Sequence, residues 1–197
     1  MRKIPSDFFI ERYGLQARLV NEDDAEFIVD LRTNPQLNQY INNTSSDVNK
    51  QKEWIADYKK REELGVEYYF IIQLEGIPIG TGRIYNIENN KFVSGSWVFS
   101  PNAPVGASVL GSIICKEIAY EELNLERDIA DIRKDNKRVI RYNMSYEPII
   151  TGEDEENIYL EFSKEKFNQI KLKHISQCIK FMQTNLLRKN DCENFKM

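Results

Sequence analysis

GSWVFSPNAPVGASVLGSII, residues 95–114, opens as a strand and closes as a helix. Its aromatic and β-branched start suits a pleated sheet, and Val109, Leu110, Ile113 and Ile114 recur at the spacing of one helix face. Between them lies a small-residue loop with Pro101, Pro104 and Gly106. A helix N-terminus offers unpaired N–H groups and the positive end of a dipole, which suits a phosphate. A packing turn accounts for the same residues equally well.

Upstream, Leu15–Val20 reads as a strand. Asn21–Asp24 supplies cap residues for a helix DDAEFIVDLR, which Pro35 stops. After a polar stretch, Gln51, Trp54, Ile55 and Tyr58 mark one face of a second helix, with Gly65 as its C-terminal stop. The period then changes. Val66–Ser100 reads as a three-stranded antiparallel meander with turns at Glu75-Gly76 and Asn89-Asn90. Downstream of the opening stretch, a helix ends near Leu123-Asn124. A strand follows at Asp128–Lys134, then a helix begun by Asn136 and stopped by Pro148, then two strands around the acidic turn Gly152–Glu156. From Ser163 onward Phe167, Ile170, Ile175, Cys178, Ile179, Met182 and Leu186 approximate one helical stripe, before a polar tail expected to fray. The order β-α-α-β-β-β-α-β-α-β-β plus a helix predicts an α/β (α+β) fold with helices on both faces of the sheet.

The 197 residues suffice for one domain, or one domain with an appendage. With 41% hydrophobic and 29% charged residues the composition is that of a soluble globular chain. A formal net charge of −4 argues against nucleic acid or an anionic membrane as the main partner. No apolar run has the length of a membrane span, and the N-terminus lacks the apolar core of a secretory signal. Three widely spaced cysteines, Cys115, Cys178 and Cys192, suggest a reducing cytoplasm. With one histidine, His174, no metal is expected.

The segments VDLRTNPQLNQYI (29–41), QKEWIADYKKR (51–61), GIPIGTGRIYNI (76–87), FVSGSWVFSP (92–101) and DIRKDNKRVIRYN (131–143) resemble the GNAT superfamily of acetyl-CoA-dependent N-acetyltransferases. The first four resemble the branch that acetylates amino groups of nucleotide-linked sugars, and the last, followed by a terminal hairpin, resembles the coenzyme-binding second half of the family. The resemblance implies a mostly antiparallel, twisted sheet of about seven strands over residues 1–162. Residues 163–197 form a helical extension, whose apolar stripe is covered by its own domain or by a second copy in a homodimer. It implies acetyl-CoA as co-substrate, its pantetheine along the strand ending at Ser100 and its pyrophosphate on Val105, Gly106, Ala107 and Ser108. A free backbone N–H at Val98 or Phe99 would polarise the thioester carbonyl, and Asn136 would cap its helix and touch the coenzyme. The loop departs from the family form Arg/Gln-x-x-Gly-x-Gly/Ala. Asn102 and Val105 stand where Arg or Gln and Gly are usual, only Ala107 fits, and Pro104 removes a donor.

The family's thiolate proton donor falls on Asn143, which cannot shuttle a proton at neutral pH. Tyr142 faces about 100° away, and Tyr146 is one turn further on, so the acid is absent or relocated. For a base, Ser94 and Ser96 are open through water, with Glu67 and Asp131 as further strand carboxylates, although an exposed strand carboxylate is more often simply solvated. Arg32, Tyr40, Gln51, Trp54, Arg83, Tyr85 and Trp97 are candidates for the acceptor, since guanidinium suits phosphate and rings suit a base or sugar face. Against this, Trp54 and Trp97 serve equally as core or pocket wall, and Arg32 as a helix C-terminal charge. Cys115 belongs to the buried side of its helix and is expected to be inert, so the amine would attack directly with no acyl-enzyme. His174 reads as surface or helix packing. Two alternatives stay open: acetylation of a protein N-terminus, or a non-catalytic binding module of this fold.

Overall fold

The computed structural model describes residues 2–194, with side chains through Met182. Among these residues eight strands form one sheet: β1 (Phe9–Arg12), β2 (Leu15–Leu19), β3 (Tyr68–Leu74), β4 (Ile77–Glu88), β5 (Lys91–Phe99), β6 (Arg127–Arg133), β7 (Ile149–Glu153) and β8 (Asn157–Ser163). Their spatial order is β1-β2-β3-β4-β5-β6-β8-β7, and only β5 and β6 are parallel. Five α-helices are α1 (Ala25–Thr33), α2 (Val48–Leu64), α3 (Ala107–Glu117), α4 (Lys137–Met144) and α5 (Lys164–Asn194).

Local chemistry sets most boundaries. Asn21 and Asp24 form a capping box ahead of α1, Gly65 ends α2 in the left-handed region, and the Asn136 side chain accepts from Val139 N–H to cap α4. Both residues of Glu75-Gly76 and of Asn89-Asn90 have positive φ, as tight hairpin turns require. The sheet has one strand more than the sequence reading. β1 is a four-residue edge strand joined to β2 through Tyr13-Gly14, too short and too exposed to carry a clear alternation. The tail from Leu187 is helical through Asn194 where fraying was expected; Leu186 and Cys192 lie outside the described side chains.

Alternation along β3 divides the interior. Tyr68, Phe70 and Ile72 enter the core shared with α3 and α5, while Tyr69 and Ile71 enter the smaller core under α1 and α2. The apolar stripe of α5 is covered within the chain: Phe167, Ile175, Cys178 and Met182 are buried, and Lys171 bonds Glu117 of α3 at 2.7 Å. Phe99 locks β5 to α3, because its ring fills the space beside Gly80 and Gly111. A Cβ on Gly111 would stand 2.4 Å from the ring. Gly111→Ala is therefore expected to cost about 1–3 kcal/mol through overpacking. The check is a lowered denaturant midpoint at unchanged m-value, with recovery on adding Phe99→Leu.

Candidate active site

β5 is distorted where the site forms. Thr81 pairs with Val98 but Arg83 pairs with Gly95, so β5 carries one extra residue opposite Gly82. Ser96 takes φ +48° there, and its carbonyl accepts from the Thr81 hydroxyl at 2.7 Å. On its other side β5 pairs with β6 only from Lys91 to Val93. Beyond Val93 and Ile129 the two strands part. Ser100 N–H donates to Ile79 at 2.9 Å on the β4 side, so the Phe99 N–H points the opposite way, into the gap.

A buried ion pair marks the vertex of this gap. Asp128 is wholly buried and pairs with Lys116 of α3, itself 4% exposed. The same carboxylate accepts from Ser94 N–H at 3.1 Å and from Ser94 Oγ at 2.9 Å, while the ammonium lies over the Phe162 ring. The signal in the sequence is a lysine and a glutamate, Lys116 and Glu117, inside an otherwise apolar helix.

A cleft of about 1290 Å³ runs through the gap and reaches both faces of the sheet. On the α3–α4 side Trp97 donates its indole N–H to the Ser108 carbonyl at 2.7 Å and packs on Tyr142. Burial pushes the Tyr142 hydroxyl up to about 12; it contacts Ser112 Oγ at 3.4 Å and the Tyr146 hydroxyl at 3.3 Å. Asn143 is buried with its amide donating to Val139 O. His174 packs on Tyr146 and bonds Ser145, which makes it a packing residue. Cys115 is buried and its thiol pushed up to about 12, as expected of an inert cysteine. At the mouth, the α3 N-terminus presents the loop. Ala107 is buried and its N–H already donates to Pro104 O, so Ala107 leaves the set of candidate donors and the N–H groups of Val105, Gly106 and Ser108 remain in it.

On the α2 side the Arg83 guanidinium lies over the rings of Trp54 and Tyr85, 5.2 and 4.6 Å from their centroids. It is held there by Glu67, which accepts from Arg83 Nε and from Arg61 Nε at 2.7 Å each. Glu67 thus corrects the expectation of an exposed strand carboxylate: it precedes β3, is buried, and serves two arginines. Trp54 is half-buried, packing on the α1–α2 core and lining the cleft at once. Arg32 donates to Thr44 Oγ1 at 2.7 Å, and Tyr40 donates to the Asp135 carbonyl at 3.3 Å. The loop after α1 is thereby strapped across to the β6–α4 turn. Of the residues that the sequence offered for catalysis, coenzyme and acceptor, all but Ala107, Glu67 and Tyr146 line this cleft, which also gains Lys50, Ser112, Lys116, Arg133 and Arg138. Among the described residues, no group of three or more His, Cys, Asp or Glu side chains could hold a metal ion.

Residues 15–144 match the model of the acetyltransferase (GNAT) domain. Among solved structures, the apo form of FdhC, a nucleotide-linked sugar GNAT, is 36% identical with a TM-score of 0.77, the match covering 89% of this chain and 99% of that one. Ribosomal-protein-S5-alanine acetyltransferase from Vibrio fischeri shares the fold at 18% identity and TM-score 0.70, covering 82% of this chain and 99% of its own. Spermidine N-acetyltransferase from Vibrio cholerae, solved with CoA and spermine, does so at 13% and 0.65, covering 80% and 99%. No curated protein sequence matches the chain.

Proposed function

The chain belongs to the GNAT acetyltransferase family, and from that premise we propose that it moves the acetyl group of acetyl-CoA to the amine of a nucleotide-linked amino sugar. One observation carries the choice of acceptor. Arg32, Lys50, Arg83, Lys116, Arg133 and Arg138 line the cleft against a single carboxylate, Asp131. Lys116 is neutralised by Asp128, but Glu67 is shared by two arginines, so the Arg61–Arg83 cluster keeps a positive charge. A diphosphate is attracted to such a lining and a polyamine is repelled. Rings of Trp54 and Tyr85 beside Arg83 suit a nucleobase or a sugar face.

The residues present fit acetyl-CoA, which supplies the activated acyl group. Val105, Gly106 and Ser108 would receive its pyrophosphate at the start of α3, with Asn136 at the start of α4. The Phe99 N–H is better turned than that of Val98 to polarise a carbonyl held in the gap, beside Ser96 and Ser100. On the α3–α4 side the hydroxyls of Ser112, Tyr142 and Tyr146 form a chain that can hand a proton to a departing thiolate, where Asn143 cannot.

The test is an acceptor panel read by thiol release: UDP- and dTDP-linked amino sugars, spermidine, and a peptide with an N-terminal alanine. Turnover of an amino-sugar nucleotide, with a KM that rises with salt as surface attraction is screened, is the expected result. Preference for spermidine or the peptide overturns it.

A further inference from the structure

Among the residues lining the cleft Asp131 is the only acid, and it makes no ion pair or hydrogen bond among the described residues. It lies on β6 two residues past Ile129, the last position paired with β5, and so at the rim of the gap. Alternation sends Asp128, Ala130 and Ile132 inward beneath α3. Asp131 and Arg133 therefore face the other side, that of Arg83 and Tyr85. Its charge is felt there: burial first, and Asp131 next, raise the Tyr85 hydroxyl. The other groups around it are Tyr159, its register partner on β8, and Arg133, which bonds Glu156 at 3.3 Å. The two nearby buried carboxylates are both engaged, Glu67 by two arginines and Asp128 by Lys116 and Ser94.

A lone carboxylate among cations weakens the hold on phosphates. It suits the one cationic group that the acceptor proposed above carries, its ammonium. Resting on that acceptor, we propose that Asp131 is the catalytic residue that binds the ammonium and takes one proton from it. The freed amine then attacks the thioester carbonyl carbon. The C–N bond forms and the C–S bond breaks, its electron pair leaving on sulfur. Of the three ammonium protons one stays on the amide, one ends on the thiolate, and the one on Asp131 passes to water.

Asp131→Asn keeps the shape and removes the charge. At pH 7 kcat/KM for the amino-sugar nucleotide is expected to fall by about 100-fold, with the acetyl-CoA thermal shift unchanged. The variant's rate should climb as pH rises from 7 to 9, since solvent then deprotonates the amine, while the wild-type profile is flatter. Binding of UDP-glucose, which has the phosphates and no amine, should be as tight as in the wild type or tighter. A variant with wild-type kcat/KM and pH profile overturns the assignment. A wild type that turns over none of the amino-sugar nucleotides instead removes the acceptor, and the same two proteins compared on millimolar glucosamine then decide Asp131 alone.

Discussion

Replacing Lys116 by methionine should remove about 3–5 kcal/mol of folding stability, which lowers the unfolding midpoint by about 10 °C in a chain of this size. The cause is the partner left behind. Asp128 is wholly buried, and without the ammonium its charge keeps only the Ser94 N–H and hydroxyl as partners. Water cannot compensate it there. Asp128→Asn added to Lys116→Met should recover most of the loss. The carboxamide oxygen still accepts from Ser94 N–H, and no uncompensated charge remains. The double-mutant cycle, read by chemical denaturation, separates the pair from the packing of each side chain. Equal loss in the single and double variants would mean that only the lysine stem matters. The same experiment tests how the gap is kept open, because Ser94 is the first β5 residue past the paired register and its hydrogen bonds end at Asp128.

Acetyl-CoA at about 100 times its Kd should stabilise the wild type by about 2.7 kcal/mol, and Gly106→Val should abolish that gain. Gly106 has φ +97°, a conformation that costs a β-branched residue about 1–3 kcal/mol. A Cβ there would also meet the Cys178 carbonyl oxygen at 3.0 Å and its Cα at 3.1 Å, and these are backbone atoms of α5 that cannot swing aside. The loop must then leave the α3 N-terminus, and with it go the N–H groups that would face the pyrophosphate. Free CoA carries the same pyrophosphate and should behave alike. Differential scanning fluorimetry of both proteins with both ligands is the measurement. A wild type unmoved by either ligand would take the coenzyme away from this loop. A variant stabilised as much as the wild type would leave the coenzyme bound without Gly106.

The elements, their order and most of their ends were legible in the sequence, because caps, turns and periodicity act within a few residues. Asn21, Gly65, Asn89-Asn90 and Asn136 do in the fold what their chemistry predicts. The family was legible as well, from segments spread along the matched residues. β1 escaped because four edge residues bury too little to pattern. The partners of the charges at the site were not legible, even where Lys116 stood out in an apolar helix. Lys116 meets Asp128 across 12 residues, Asp128 meets Ser94 across 34, and Glu67 meets Arg83 across 16. Which carboxylate is neutralised and which is left free in the cleft depends on strand register and helix docking, and these fix distances that no local pattern encodes. The sequence alone therefore determined the fold and the list of candidates. Only the tertiary structure could set Glu67 apart from Asp131, two carboxylates of the same chemistry, one buried between arginines and one unpaired at the rim of the gap.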